Sequence, residues 1–216
     1  KKIFEIMKKG DIGVFGTLAI VFSIILKVII YFYIAQRLSI HNFILFKPEQ
    51  NIPRLNFSSN YPALFYITLI IIFAPVFGRL LILYLLSKYE AAQKTTSLSA
   101  AFKGKENRFD FFITFALSSI FYIFFIIIAG VNYSIKYVNT HYNGSSLLTF
   151  GTISALYAIS AFLVVILTWL IAAALGRFFT KRTGGISGDI LGAICVMAEI
   201  SFLFLNYIMT ICLVFI

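Results

Sequence analysis

Gly184-Gly185-Ile186-Ser187-Gly188-Asp189-Ile190-Leu191-Gly192-Ala193 opens an apolar run that continues to Ile216, and in that run Glu199 is the one charged side chain after Asp189. The run exceeds the roughly 20 residues that a helix needs to cross a bilayer. It is therefore read as a membrane span with a glycine-rich, acidic entry. Flexible backbone and carboxylates meet here at a membrane boundary.

Working outward, the same apolar character recurs over Ile12–Gln36, Pro62–Leu86, Asp110–Val131 and Leu147–Leu175. The whole chain is 61% hydrophobic and 12% charged, well away from a soluble domain, which is about half apolar and a quarter charged. These features predict an all-α, polytopic transmembrane bundle of five spanning helices forming a single domain over residues 1–216. Lys1–Asp11 is short, basic and amphipathic, and is read as a surface helix. The chain begins Lys-Lys rather than Met, so further sequence is expected upstream. Cys195 and Cys212 share one apolar run and are read as packing residues, not as a disulfide or a metal site.

Net charge is +10, which in a soluble chain would invite nucleic acid. Here the distribution speaks for topology and against nucleic acid. Twelve Lys and Arg fall in Lys1–Asp11, Ser87–Arg108 and Gly176–Asp189, against four in the other two connections. The positive-inside rule puts the first three segments, including the glycine-rich stretch, in the cytoplasm.

Three ionisable residues lie inside spans: Lys27, Arg79 and Glu199. Each costs about 2.5–3.5 kcal/mol at a helix centre on insertion scales, so such residues turn inward and find partners. Gly13, Gly16, Ile20, Ser23 and Lys27 share one helical stripe, and Asp189, Gly192, Val196, Glu199, Leu203 and Asn206 share another. Lys27 or Arg79 can pair with Glu199 to hold the bundle, or can offset substrate phosphate charge. The loop has two readings as well. Gly184, Gly185, Ser187 and Gly188 can cradle a phosphate at a helix N-terminus, with Asp189 beside it as a Mg²⁺ ligand. Alternatively, the segment is a glycine turn with Asp189 as a helix cap.

The residues from Lys181 to Ala193, with Glu199, resemble the C-terminal signature of the cobalamin synthases, the adenosylcobinamide-GDP ribazoletransferases. That family has Gly-Gly-x-Thr-Gly-Asp-x-Leu-Gly-Ala here. Ser187 stands for the Thr, and Val196 occupies the place of a glutamate often seen three residues before Glu199. Glu5-Ile6-Met7, Gly13, Gly16, Leu18-Ala19 and Lys27 resemble the family's entry to its first span, although Lys9 and Asp11 replace its usual Asp and Arg. Arg79 matches a family arginine. Lys94 matches a basic residue of the following loop, where Ser97-Leu98-Ser99 replaces Gly-Leu-Gly. The family's Asp-rich metal motif is not in these residues and is expected upstream of Lys1.

The resemblance implies an inner-membrane phosphotransferase with its active face in the cytoplasm. It would join adenosylcobinamide-GDP to α-ribazole or its 5′-phosphate with Mg²⁺ and release GMP. The site implied comprises Asp189, Lys27, Arg79 and Glu199 as catalytic groups, with Gly184, Gly185, Ser187, Gly188 and Lys94 on phosphate. The lipid bilayer is its other partner, and self-association or contact with other enzymes of the same route is compatible with it. Two other readings stay open: a phospholipid-making enzyme of the CDP-alcohol type, and a non-enzymatic anion-binding transporter or membrane subunit.

Overall fold

The computed structural model describes residues 14–45, 61–90, 108–141 and 147–214, and every regular element among them is a helix. The elements are α1 (Val14–Leu45), α2 (Tyr61–Lys88), α3 (Arg108–His141), α4 (Leu147–Thr183) and α5 (Gly188–Val214). All five carry stretches long and apolar enough to cross a membrane: Thr17–Gln36, Leu64–Lys88, Phe109–Asn132, Gly151–Thr183 and Gly188–Cys212. The protein is an integral membrane protein built as an all-α bundle. The amphipathic segment Lys1–Asp11, Gly13 and Lys94 lie outside the described residues.

The helices outrun the apolar stretches that announce them. α1 continues to Leu45, α3 to His141, and α4 through Gly176–Thr183, which the sequence suggests as loop. A helix keeps satisfying its backbone groups one residue at a time once nucleated. Loss of hydrophobicity at the membrane edge therefore does not by itself end it; α4 stops only where Gly184 takes a positive φ.

Helices α2, α3, α4 and α5 pack in a ring, each against the next, with α2 closing against α5. α1 docks outside this ring, on α5 and to a lesser extent on α2. The buried positions follow helical spacing. On α2 they are Tyr66, Leu69, Ile70, Ala74, Phe77, Leu81, Tyr84 and Leu85; on α5 they are Ile190, Leu191, Ile194, Ala198, Phe202, Leu203, Asn206 and Thr210. The outward faces of α1, α3 and α4 expose large apolar side chains such as Phe22, Val28, Phe32, Ile120 and Phe162, which suits contact with lipid.

Lipid is as apolar as these side chains, so close packing and polar contacts must hold the ring together. Phe77 stacks on Phe202 with ring centroids 5.1 Å apart and meets Tyr122 edge-on at 5.7 Å. The buried Tyr122 hydroxyl donates to Asn206 Oδ1 at 2.7 Å, tying α3 to α5. Asn206 Nδ2 is satisfied by Phe202 O at 2.9 Å. The stripe read on α5 thus divides in two. Leu203 and Asn206 are buried, whereas Asp189 and Gly192 are exposed, and a Cβ on Gly192 would meet nothing within 4 Å.

Candidate functional site

The first cluster lies within the membrane. Lys27 Nζ of α1 forms an ion pair with Glu199 Oε2 of α5, with the side chains 25% and 16% exposed. Of the two pairings open to Glu199, the structure has the one with Lys27. Cys195 Sγ sits one turn earlier on α5 and approaches Glu199 Oε1 at 3.7 Å. Tyr31, one turn further along α1, lies within electrostatic range of the same carboxylate.

Gly78 makes this arrangement possible. A Cβ there would stand 2.7 Å from Glu199 Cγ and 3.2 Å from Cys195 O, so the α2 backbone lies directly against the acidic turn of α5. The sequence reading passed over Gly78; the available signal was a glycine immediately before an intramembrane arginine. Arg79 itself corrects an expectation. It is exposed, not turned inward, and has no ion-pair partner among the described residues. It nonetheless stands within electrostatic range of Cys195, as does Lys27. Lys27, Arg79 and Glu199 are therefore gathered in one layer with a net positive charge.

The second cluster is the glycine loop. α4 ends at Thr183, and Gly184 takes φ +74°, the left-handed conformation that favours glycine after a helix. Its N–H still reaches Thr180 O at 2.9 Å. Ile186 N donates to Glu90 O at 2.8 Å, and the Ile186 side chain is buried, which fastens the loop to the end of α2. Ser187 Oγ accepts from Ile190 N at 3.4 Å, and Ser187 O from Leu191 N at 3.1 Å. Ser187 is thus the cap of α5. Asp189, the residue suggested as a cap, sits instead in the first helical turn, exposed and without an ion-pair partner among the described residues.

Beside this loop is an open cleft of about 340 Å³, lined by Tyr89, Glu90, Arg177, Thr180, Lys181, Gly184 and Gly185. Gly184 and Gly185 are in its wall; Ser187, Gly188 and Asp189 are not. Gly176 brings the end of α2 to this wall, since a Cβ there would meet Leu85 Cδ2 at 2.4 Å and Tyr89 Cε2 at 3.3 Å. Arg177 and Lys181 were read only as basic residues of a loop, because α4 was taken to stop before them, and Tyr89 escaped the sequence reading. The two clusters are separate: at about 1.5 Å per residue, Glu199 lies roughly 15 Å along α5 from Asp189.

No group of three or more metal-ligating side chains occurs among the described residues. They do not form a complete metal centre. Asp189 matches the single carboxylate that Mg²⁺ can use together with substrate phosphates and water.

The fold and these clusters define a polytopic helical membrane protein with a basic, glycine-walled cleft beside the start of α5 and a charged layer of Lys27, Arg79 and Glu199 within the spans. The family model described as cobalamin-5-phosphate synthase matches residues 1–207, and the chain belongs to that family. The chain is also similar to an adenosylcobinamide-GDP ribazoletransferase of Roseiflexus sp. (strain RS-1), 32% identical over 57 residues. That match takes in 26% of this chain and 21% of the relative's length. No solved structure matches the chain.

Proposed function

We propose that the chain belongs to a membrane phosphotransferase that joins adenosylcobinamide-GDP to α-ribazole or its 5′-phosphate and releases GMP. The observation that carries this is the family match over residues 1–207, which takes in both clusters. A free ribose hydroxyl of the acceptor, available with or without a 5′-phosphate, would form a bond to the phosphorus on the cobinamide arm as the bond from that phosphorus to the GMP oxygen breaks, GMP leaving with that oxygen and the hydroxyl proton leaving to solvent. Such transfers depend on positioning and on neutralising phosphate charge.

Gly184 and Gly185 would shape the phosphate-binding wall, and Ser187 and Gly188 would set the start of α5. Asp189 would supply one carboxylate toward Mg²⁺, which when bound would offset phosphate charge. Arg79, with no ion-pair partner among the described residues, would face substrate charge from the neighbouring helix. Lys27 holds Glu199, so Glu199 would act as a counter-charge that fixes the cationic layer, not as a base. Lys94 would join from the basic loop. The active face would be cytoplasmic and the membrane the inner one, in line with the placement of the twelve basic residues.

In the full-length protein, Asp189→Asn and Arg79→Gln should each lower GMP release at least a hundredfold per molecule of inserted protein. Near-normal turnover in either would remove that residue from the machinery. Phosphate binding without turnover by the native protein would favour the non-enzymatic anion-binding reading.

A further inference from the structure

The outer face of α4 changes chemistry once along its length. Leu163, Leu167, Leu170, Ala174, Arg177 and Lys181 recur at spacings of three and four residues, and all are exposed, so they form one stripe. The leucines suit contact with acyl chains; the last two members are cations. Phe178 and Arg182 flank the cationic end, both exposed, with the Arg182 guanidinium 4.3 Å from the centroid of the Phe178 ring. Arg177, Lys181 and Arg182 have no ion-pair partner among the described residues.

Length puts this change of chemistry at headgroup depth. α4 has 37 residues. At 1.5 Å per residue such a helix is about 55 Å long, against about 30 Å of hydrocarbon and about 40–45 Å for a bilayer with its headgroups. Arg177 comes directly after the apolar run that closes at Leu175 and Gly176. Leu167 lies about 15 Å before it along the helix, the depth of one leaflet's chains. The helix dipole accounts for Lys181 and Arg182 in the last turn. It does not account for Arg177, which is further in and repels Lys181 from four residues away. A phosphate between the two removes that repulsion.

We propose that this stripe holds one anionic phospholipid lengthwise, its chains against Leu163, Leu167 and Leu170 and its phosphate on Arg177 and Lys181. Phe178 sits at the boundary of chains and headgroups, where amphipathic membrane helices place such rings. A zwitterionic lipid carries its own ammonium beside the phosphate, so two protein cations select a lipid with net negative charge. The site needs only the membrane placement of the bundle and is independent of the reaction catalysed.

The test is native mass spectrometry of the full-length protein in detergent, titrated with phosphatidylglycerol or phosphatidylcholine of identical chains. One phosphatidylglycerol should be retained at least tenfold more tightly than phosphatidylcholine. Each cation near an anionic headgroup contributes about fivefold, so Arg177→Gln/Lys181→Gln should weaken retention about twentyfold and Arg177→Lys less than threefold. Lys88→Gln removes another exposed cation, one that donates to the Tyr84 hydroxyl at 2.6 Å, and should change retention less than twofold. Weakening by Lys88→Gln equal to that of the double variant would reduce the effect to general charge and overturn the proposal, as would equal affinity for the two lipids. Deacylated glycerophosphoglycerol in hundredfold excess should not compete. Competition at equal concentration would assign the cations to a soluble phosphate compound and also overturn it.

Discussion

Replacing Lys27 by Met keeps an aliphatic chain of similar length but leaves the Glu199 carboxylate without its cation. The hydrogen-bond partner that remains is the Cys195 thiol at 3.7 Å, a weak donor, with Arg79 in the same layer but not paired to the carboxylate. Breaking a buried pair by removing one partner costs about 3–5 kcal/mol, and a lone charge at a helix centre about 2.5–3.5 kcal/mol. The side chains are 25% and 16% exposed, which argues for the low end of that range. A loss of about 3 kcal/mol, just over a hundredfold in the unfolding equilibrium, is expected. The double variant Lys27→Met/Glu199→Gln should recover most of it, to within about 1 kcal/mol of the native protein, since neutral pairs often replace buried ionic ones at little cost. Titration with sodium dodecyl sulfate in mixed micelles, followed by far-ultraviolet circular dichroism, measures all four members of the cycle. If the two single losses simply add in the double variant, the pair contributes nothing and α1 is held by packing alone.

Gly78→Ala should destabilise by about 1–2 kcal/mol after its gain in helix propensity, because its Cβ would meet Glu199 Cγ at 2.7 Å. Gly192→Ala, with nothing within 4 Å of its Cβ, should be neutral or stabilising by up to about 1 kcal/mol in the same titration. Asn206→Leu strands the buried Tyr122 hydroxyl and should cost about 1–3 kcal/mol, with Tyr122→Phe in the Asn206→Leu background restoring part of the loss. Ser187→Cys, in a variant lacking the two native cysteines, should react with an impermeant maleimide in inside-out vesicles and not in intact cells; the reverse pattern would invert the topology.

The five spans were legible because each is a long, predominantly apolar run with at most one charged residue deep inside it, and a bilayer leaves such a run little choice but a helix. The ends were not legible, since α4 runs on through Arg177 and Lys181 to Thr183 before Gly184 stops it. That extension is what places two cations on the cleft. The Lys27–Glu199 pair was legible as one of two pairings, because charges in lipid must find partners. Which cation wins depends on how α1 leans on α5, and on Gly78 admitting the Glu199 side chain, a contact between distant parts of the chain that periodicity does not encode. The cap went to Ser187 over Asp189 for a local reason: the helix starts at Gly188, which leaves Ser187 in the position whose side chain reaches the free N–H groups.

The central claim is tested most directly by incubating the full-length protein, in liposomes with Mg²⁺, with adenosylcobinamide-GDP and either α-ribazole or its 5′-phosphate. Formation of the joined corrinoid with one GMP released per product is the predicted result. Properly inserted protein that yields neither product nor GMP with either acceptor would contradict the account.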